Sequence, residues 1–115
     1  MTPNADTPPL CLLADIPDGQ AIEVEAIVNS EVESLLVYRH GGEARAYFNV
    51  CPHAGRRLDY APGRFLVRNG TIICAAHGAT FTADSGDCTA GPCRGDRLRA
   101  VPVEVDDGAV RLIGT

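Results

Sequence analysis

Along most of this chain apolar and polar residues alternate with the two-residue period of half-buried strands, and short turn signals interrupt the alternation. Ile22-Glu-Val24-Glu-Ala26 shows the period most cleanly. Residues 33–39 and 45–50 flank His40-Gly41-Gly42, which predicts an antiparallel hairpin. A second hairpin is predicted around Asn69-Gly70, between residues 64–67 and 71–74, because Asn-Gly suits a two-residue turn. A third is predicted around Asp106-Asp107-Gly108, between residues 98–105 and 109–113. Pro102 gives that stretch an edge position, since proline cannot donate to a ladder. Leu10–Ala14 reads as a short opening strand. No helical periodicity, repeat or low-complexity segment competes with this pattern.

Many short strands and regular turns predict an all-β antiparallel sandwich or barrel. The 115 residues make one domain, and twelve glycines and eight prolines fit a turn-rich fold. The polar, proline-rich start predicts a disordered tail over residues 1–9, and with no apolar core it does not resemble an export signal. No apolar run reaches the roughly 20 residues that span a bilayer. The expectation is a cytoplasmic protein that binds no membrane. The alternation fails between residues 50 and 81, where two Cys/His segments interrupt it, and function is expected in those loops at one tip of the β scaffold.

The two segments are Cys51-Pro52-His53-Ala54-Gly55 and Cys74-Ala75-Ala76-His77-Gly78, with twenty residues between His53 and Cys74. Two thiolates and two imidazoles form a set of mixed softness, suited to zinc or to an iron–sulfur cluster. Zinc modules more often use Cys-x-x-Cys. Two matched loops, each with a glycine after the pair, suit a two-iron cluster gripped from both sides. The glycines would let backbone N–H groups approach the sulfides. His40, the third histidine, falls in a predicted turn and reads as a solvated residue.

This pattern resembles the Rieske family, whose signature is Cys-x-His, then some 15 to 21 residues, then Cys-x-x-His. The resemblance implies one 2Fe–2S cluster per chain, with Cys51 and Cys74 on the buried iron and His53 and His77 on the outer one. Leu58 falls where the family has an apolar shield beside the first loop, and Gly91-Pro92 where a third, proline-containing loop covers the cluster. Gly78, Ala79 and Phe81 fall where the second loop tunes the potential. High-potential members carry serine and tyrosine at the positions of Ala79 and Phe81, whose hydroxyls bond to sulfur. With neither donor here, the implied potential lies near the low end of the range of about -150 to +300 mV. Thr80 should point away from the cluster if the chain there is extended. The disulfide of quinol-oxidising members needs one cysteine in each cluster loop, and neither loop has a second one.

The resemblance further implies a soluble ferredoxin, an electron-transfer protein with no catalysis of its own, that takes an electron from a reductase and passes it to an oxygenase terminal component. Two alternatives stand beside it: a small Rieske-fold subunit of a nitrite reductase, and a zinc-stabilised interaction module. The remaining cysteines read as follows. Cys11 packs as a small hydrophobe. Cys88 and Cys93 are expected as two partly buried thiols in a reducing compartment, the alternative being a redox-responsive pair. The net charge of -5, with no lysine and no concentrated basic run, excludes nucleic acid as an expected partner. Charge is uneven: residues 1–50 hold eight acids against two arginines, whereas residues 51–68 hold four arginines against Asp59 alone. A dipolar molecule is expected, with Arg56 and Arg57 docking its basic end on an acidic partner.

Overall fold

The computed structural model describes residues 8–52, 55–74, 78–91 and 95–113. In chain order the elements are β1 (Cys11–Leu12), a 3-10 turn (Leu13–Asp15), β2 (Ala21–Val28), β3 (Glu31–His40), β4 (Glu43–Phe48), β5 (Leu66–Arg68), β6 (Thr71–Ile73), β7 (Thr80–Thr82), β8 (Cys88–Ala90), β9 (Ala100–Val101), β10 (Val103–Asp106) and β11 (Ala109–Leu112). All strand pairs are antiparallel. Among the described residues the strands make three sheets, ordered β1-β11-β10, β2-β3-β4-β9 and β5-β6-β7-β8.

The predicted hairpins form where their turn residues allow it. Asn69-Gly70 and Asp107-Gly108 each place two successive residues at positive φ, at 51° and 74° and at 50° and 77°. That is the requirement of the tight turn whose twist matches paired strands. The β2–β3 hairpin uses Asn29-Ser30 in the same way, at φ 53° and 71°, although Ser at the second position gave no strong signal. The opening strand is shorter than the apolar run 10–14 implied. The Asp15 carboxylate accepts the Leu12 N–H at 3.0 Å and pulls the chain into the 3-10 turn after two strand residues. Pro102 separates β9 from β10. β9 is the edge of one sheet and β10 the edge of another, so the chain changes sheets at the residue that cannot donate.

The central sheet is covered on both faces, which explains the unbroken apolar run Leu35-Leu36-Val37-Tyr38 in β3. Leu35, Val37 and Ala46 face one core, with Val101, Val110 and Leu112. Leu36, Tyr38 and Tyr47 face a second core that also holds Cys51, Leu58, Ile72, Cys74 and Phe81. The second core joins the smaller β5–β8 sheet to the rest. Tyr47 adds a polar tie there: its hydroxyl donates to the Ala83 carbonyl at 2.6 Å, and burial raises its pKa to about 12. The small sheet runs on past residue 81 through β8 to Ala90.

Candidate metal centre

The first Cys/His segment follows β4, and the second connects β6 to β7. The backbone closes both in the same way. The Cys51 N–H donates to the Arg56 carbonyl at 2.6 Å, and the Gly55 N–H donates back to the Cys51 carbonyl at 2.9 Å. In the second loop the Cys74 N–H donates to the Ala79 carbonyl at 2.8 Å, and the Gly78 N–H donates to the Cys74 carbonyl at 2.9 Å. The two loops are thus equal in length from cysteine to closing carbonyl, and the glycine before that carbonyl adopts positive φ in each, 66° at Gly55 and 71° at Gly78. The glycines were expected to let backbone N–H groups approach the sulfides; the N–H groups of Gly55 and Gly78 themselves close the loops.

Cys51 and Cys74 are 1% and 0% exposed and belong to one core with Leu58, Ala79 and Phe81, each fully buried. Neither cysteine is in a disulfide. His53, His77 and Pro92 lie outside the described residues, as does Cys93. What is described fits an iron–sulfur cluster: two buried thiols, soft donors suited to iron, start two matching loops, share one core and have apolar neighbours that keep water away. Gly91, where the third loop begins, is close as well. At φ 99°, it lies so near the second loop that a Cβ on it would stand 2.8 Å from the Ala79 Cα. Only glycine allows that approach. Thr80 bonds its hydroxyl to that of Thr89 at 2.8 Å, on the exposed side of the small sheet, as extended geometry requires.

Behind the first loop lies a polar network that single-sequence reading missed. Asn49, 2% exposed, accepts the Leu58 N–H at 2.9 Å through Oδ1. Its Nδ2 donates to Ser34 Oγ at 3.1 Å and to Asp59 Oδ2 at 3.4 Å. Ser34 Oγ donates to Glu23 Oε2 at 2.6 Å. Arg57 completes the set. Its Nε and Nη2 grip Asp59 at 3.0 and 2.7 Å, and Nη2 also reaches Glu23 at 2.7 Å. Hydrogen bonding from Arg57 is the main cause holding the Asp59 pKa below its ordinary value. For Glu23 the Ser34 bond comes first and Arg57 second. Arg57, expected beside Arg56 as a docking residue, is exposed and held in two ion pairs within its own chain, whereas Arg56 is exposed and makes no ion pair among the described residues.

Two cysteine expectations meet the structure differently. Cys11 is half-buried against the first core, and burial pushes its thiol up to about 11, so it stays protonated at neutral pH. Cys88 is disulfide-bonded, not the free thiol expected. That expectation rested on the redox poise of a compartment, which sets how often such a bond is populated and not whether the fold brings sulfurs together. His40 is in the β3–β4 turn region, 3.9 Å from the Asp84 carboxylate with both side chains largely exposed, as a solvated residue would be.

Residues 6–104 match the Rieske [2Fe-2S] domain family. The chain is 34% identical over 108 residues to the ferredoxin component of the alkene monooxygenase system of Xanthobacter autotrophicus, covering 92% of this chain and 79% of that protein. Among solved structures, the Sphingomonas yanoikuyae B1 ferredoxin superposes with a TM-score of 0.69 at 28% identity, over 93% of this chain and 97% of that one. The ferredoxin of carbazole 1,9a-dioxygenase from Nocardioides aromaticivorans IC177 does so with a TM-score of 0.69 at 27% identity, over 95% and 100%. Matched loops, buried thiols and these similarities converge: the chain belongs to the Rieske [2Fe-2S] domain family, and its cofactor is a Rieske-type 2Fe–2S cluster.

Proposed function

We propose that this protein is a cytoplasmic one-electron carrier, without catalysis of its own, that takes electrons from a reductase and delivers them to the terminal component of an oxygenase. The observation that carries the reading is the pair of identically closed loops, each opening on a buried cysteine and each containing a histidine in its sequence. Cys51 and Cys74 supply the thiolates and His53 and His77 the imidazoles. The bound cluster exchanges one electron at a time. Leu58 and Phe81 wall the thiolates off from water, which favours retention of the cluster and lets small changes in nearby dipoles act strongly on it. The side chains of Ala79 and Phe81 carry no donor for sulfur, and the Thr80 hydroxyl is engaged by Thr89. The potential therefore lies near the low end of the Rieske range, which suits delivery to an oxygenase and not acceptance from quinol.

The named relatives support the recipient class: two are ferredoxin components of oxygenase systems, one acting with an alkene monooxygenase and one with carbazole 1,9a-dioxygenase. The test is reconstitution. Purified protein should be reddish-brown, with two irons and two sulfides per chain. It should restore NAD(P)H-dependent turnover when added to a reductase and an oxygenase terminal component that are inactive together. A colourless protein holding one zinc would contradict the reading at its base. A coloured protein that couples to nitrite reductase and to no oxygenase would contradict the choice of recipient.

A further inference from the structure

The charge pattern suggested that Arg57 meets a partner, and its geometry gives it a task within its own chain. Its side chain is 52% exposed, yet the guanidinium is engaged by two carboxylates of its own chain. One of them, Asp59, is only 3% exposed and also accepts the Gly63 N–H at 3.2 Å. The other, Glu23, stands on β2 in the central sheet. Arg57 therefore ties the segment just after the first ligand loop to a strand of the scaffold. Asn49 ties the segment just before that loop to the same place, through Ser34 on β3 and Asp59, and holds the far stem directly at the Leu58 N–H. Both stems of the loop are pinned to β2 and β3, and Cys51 and His53 lie between the pins.

We infer that Arg57 is a positioning residue for the cluster: bridging Asp59 to Glu23, it fixes the far stem of the first loop on the scaffold and so favours retention of a cluster held by Cys51 and by the histidine that follows it in sequence. A planar fork is suited to this. Nε and Nη2 meet both oxygens of Asp59 while Nη2 reaches Glu23, an arrangement that an ammonium cannot reproduce. Groups that orient metal ligands commonly cost 10- to 100-fold in metal affinity when removed.

The inference rests on the reading that Cys51 and His53 are ligands, and the experiment separates the two. Holoprotein is mixed with an iron chelator, and cluster loss is followed by visible absorbance. The reduced cluster's EPR spectrum and the salt dependence of electron transfer from the reductase are recorded alongside. Arg57→Gln should release the cluster about tenfold faster than wild type and broaden the EPR lines, with the apparent affinity for reductase unchanged within about twofold. Arg57→Lys should fall between, and Arg56→Gln should match wild type in release and line shape. If Arg57→Gln does not accumulate as holoprotein, Arg57→Lys and Glu23→Gln, which remove fewer bonds, are read on the same scale. An Arg57 variant with wild-type release and EPR lines, but weakened and salt-insensitive coupling to reductase, would overturn the inference and make the residue a docking group. Wild-type protein with no Rieske spectrum would instead overturn the ligand reading.

Discussion

The two Cys/His loops close on themselves with the same pair of hydrogen bonds, yet they are joined to the rest of the molecule by different physics. The second loop is the connection of a hairpin. Its stems are β6 and β7, paired at Ile73 and Thr80, and Gly91 of the third loop packs against its Ala79. Among the described residues the first loop has no such hairpin. It leaves the end of β4, and its far stem is held by side chains: Asn49, Ser34, Asp59, Glu23 and Arg57. A ladder and close packing depend little on pH or on the removal of individual side chains, although close packing leaves no room for an added one. A side-chain network concentrates the same task in a few titratable and replaceable groups. The comparison teaches that equal local geometry does not imply equal vulnerability.

The sharpest break should come on the second loop. Gly91→Val adds a side chain at φ 99°, where Cβ alone would lie 2.8 Å from the Ala79 Cα. Strain and displacement together should cost about 2–4 kcal/mol, seen as a lower thermal midpoint and loss of cluster colour on purification. Asn49→Ala should come next, on the first loop. It removes the acceptor for a buried N–H and two donated bonds, for about 2–3 kcal/mol in a chemical melt followed by visible absorbance. If both variants lose the cluster at the same rate under every condition, the two loops are not anchored independently and the comparison fails.

Acid sharpens the contrast. The folded pKa values of Asp59 and Glu23 are both lowered, so their contribution is complete above the unfolded values of about 3.9 and 4.3. It is lost as pH falls through the lower, folded values. The thermal midpoint of wild type should therefore exceed that of Glu23→Gln by a constant amount from neutral pH to about pH 5, and the gap should close below about pH 4. A gap that persists unchanged at pH 3 would contradict the role given to the carboxylate. The smallest effect is expected from Ala79→Ser and Phe81→Tyr, read by voltammetry. Each should raise the midpoint potential where the new hydroxyl reaches sulfur, and a wild-type midpoint well above zero would show that other donors dominate.

Alternation, turn dipeptides and the Cys/His spacing carry local information, and they were legible in the chain. Asn69-Gly70, Asp107-Gly108 and Pro102 each act through their own backbone preferences, so hairpins and an edge position could be placed without tertiary knowledge, whereas the change of sheet at Pro102 could not. Thr80 could be turned away from the cluster by strand period alone. Arg57 could not be read this way. Its partners Glu23 and Asp59 lie on opposite sides of it in sequence, one of them 34 residues away, and a charge count treats a basic residue alike whether it faces solvent or two carboxylates. Cys88 fails for a related reason: its bonded state depends on which sulfur the fold brings near, not on the composition around it. The shortened β1 turned on one carboxylate, Asp15, competing for a backbone N–H.

The central claim is that one cluster is held by one cysteine and one histidine from each loop. Pulsed EPR of the reduced protein, with histidine nitrogens isotopically labelled, tests it directly. Wild type should show two coupled histidine nitrogens. His53→Ala and His77→Ala should each lose the two-histidine signature, and His40→Ala should retain it unchanged. A signature that survives loss of His53 or His77, or that disappears with His40, would contradict the assignment.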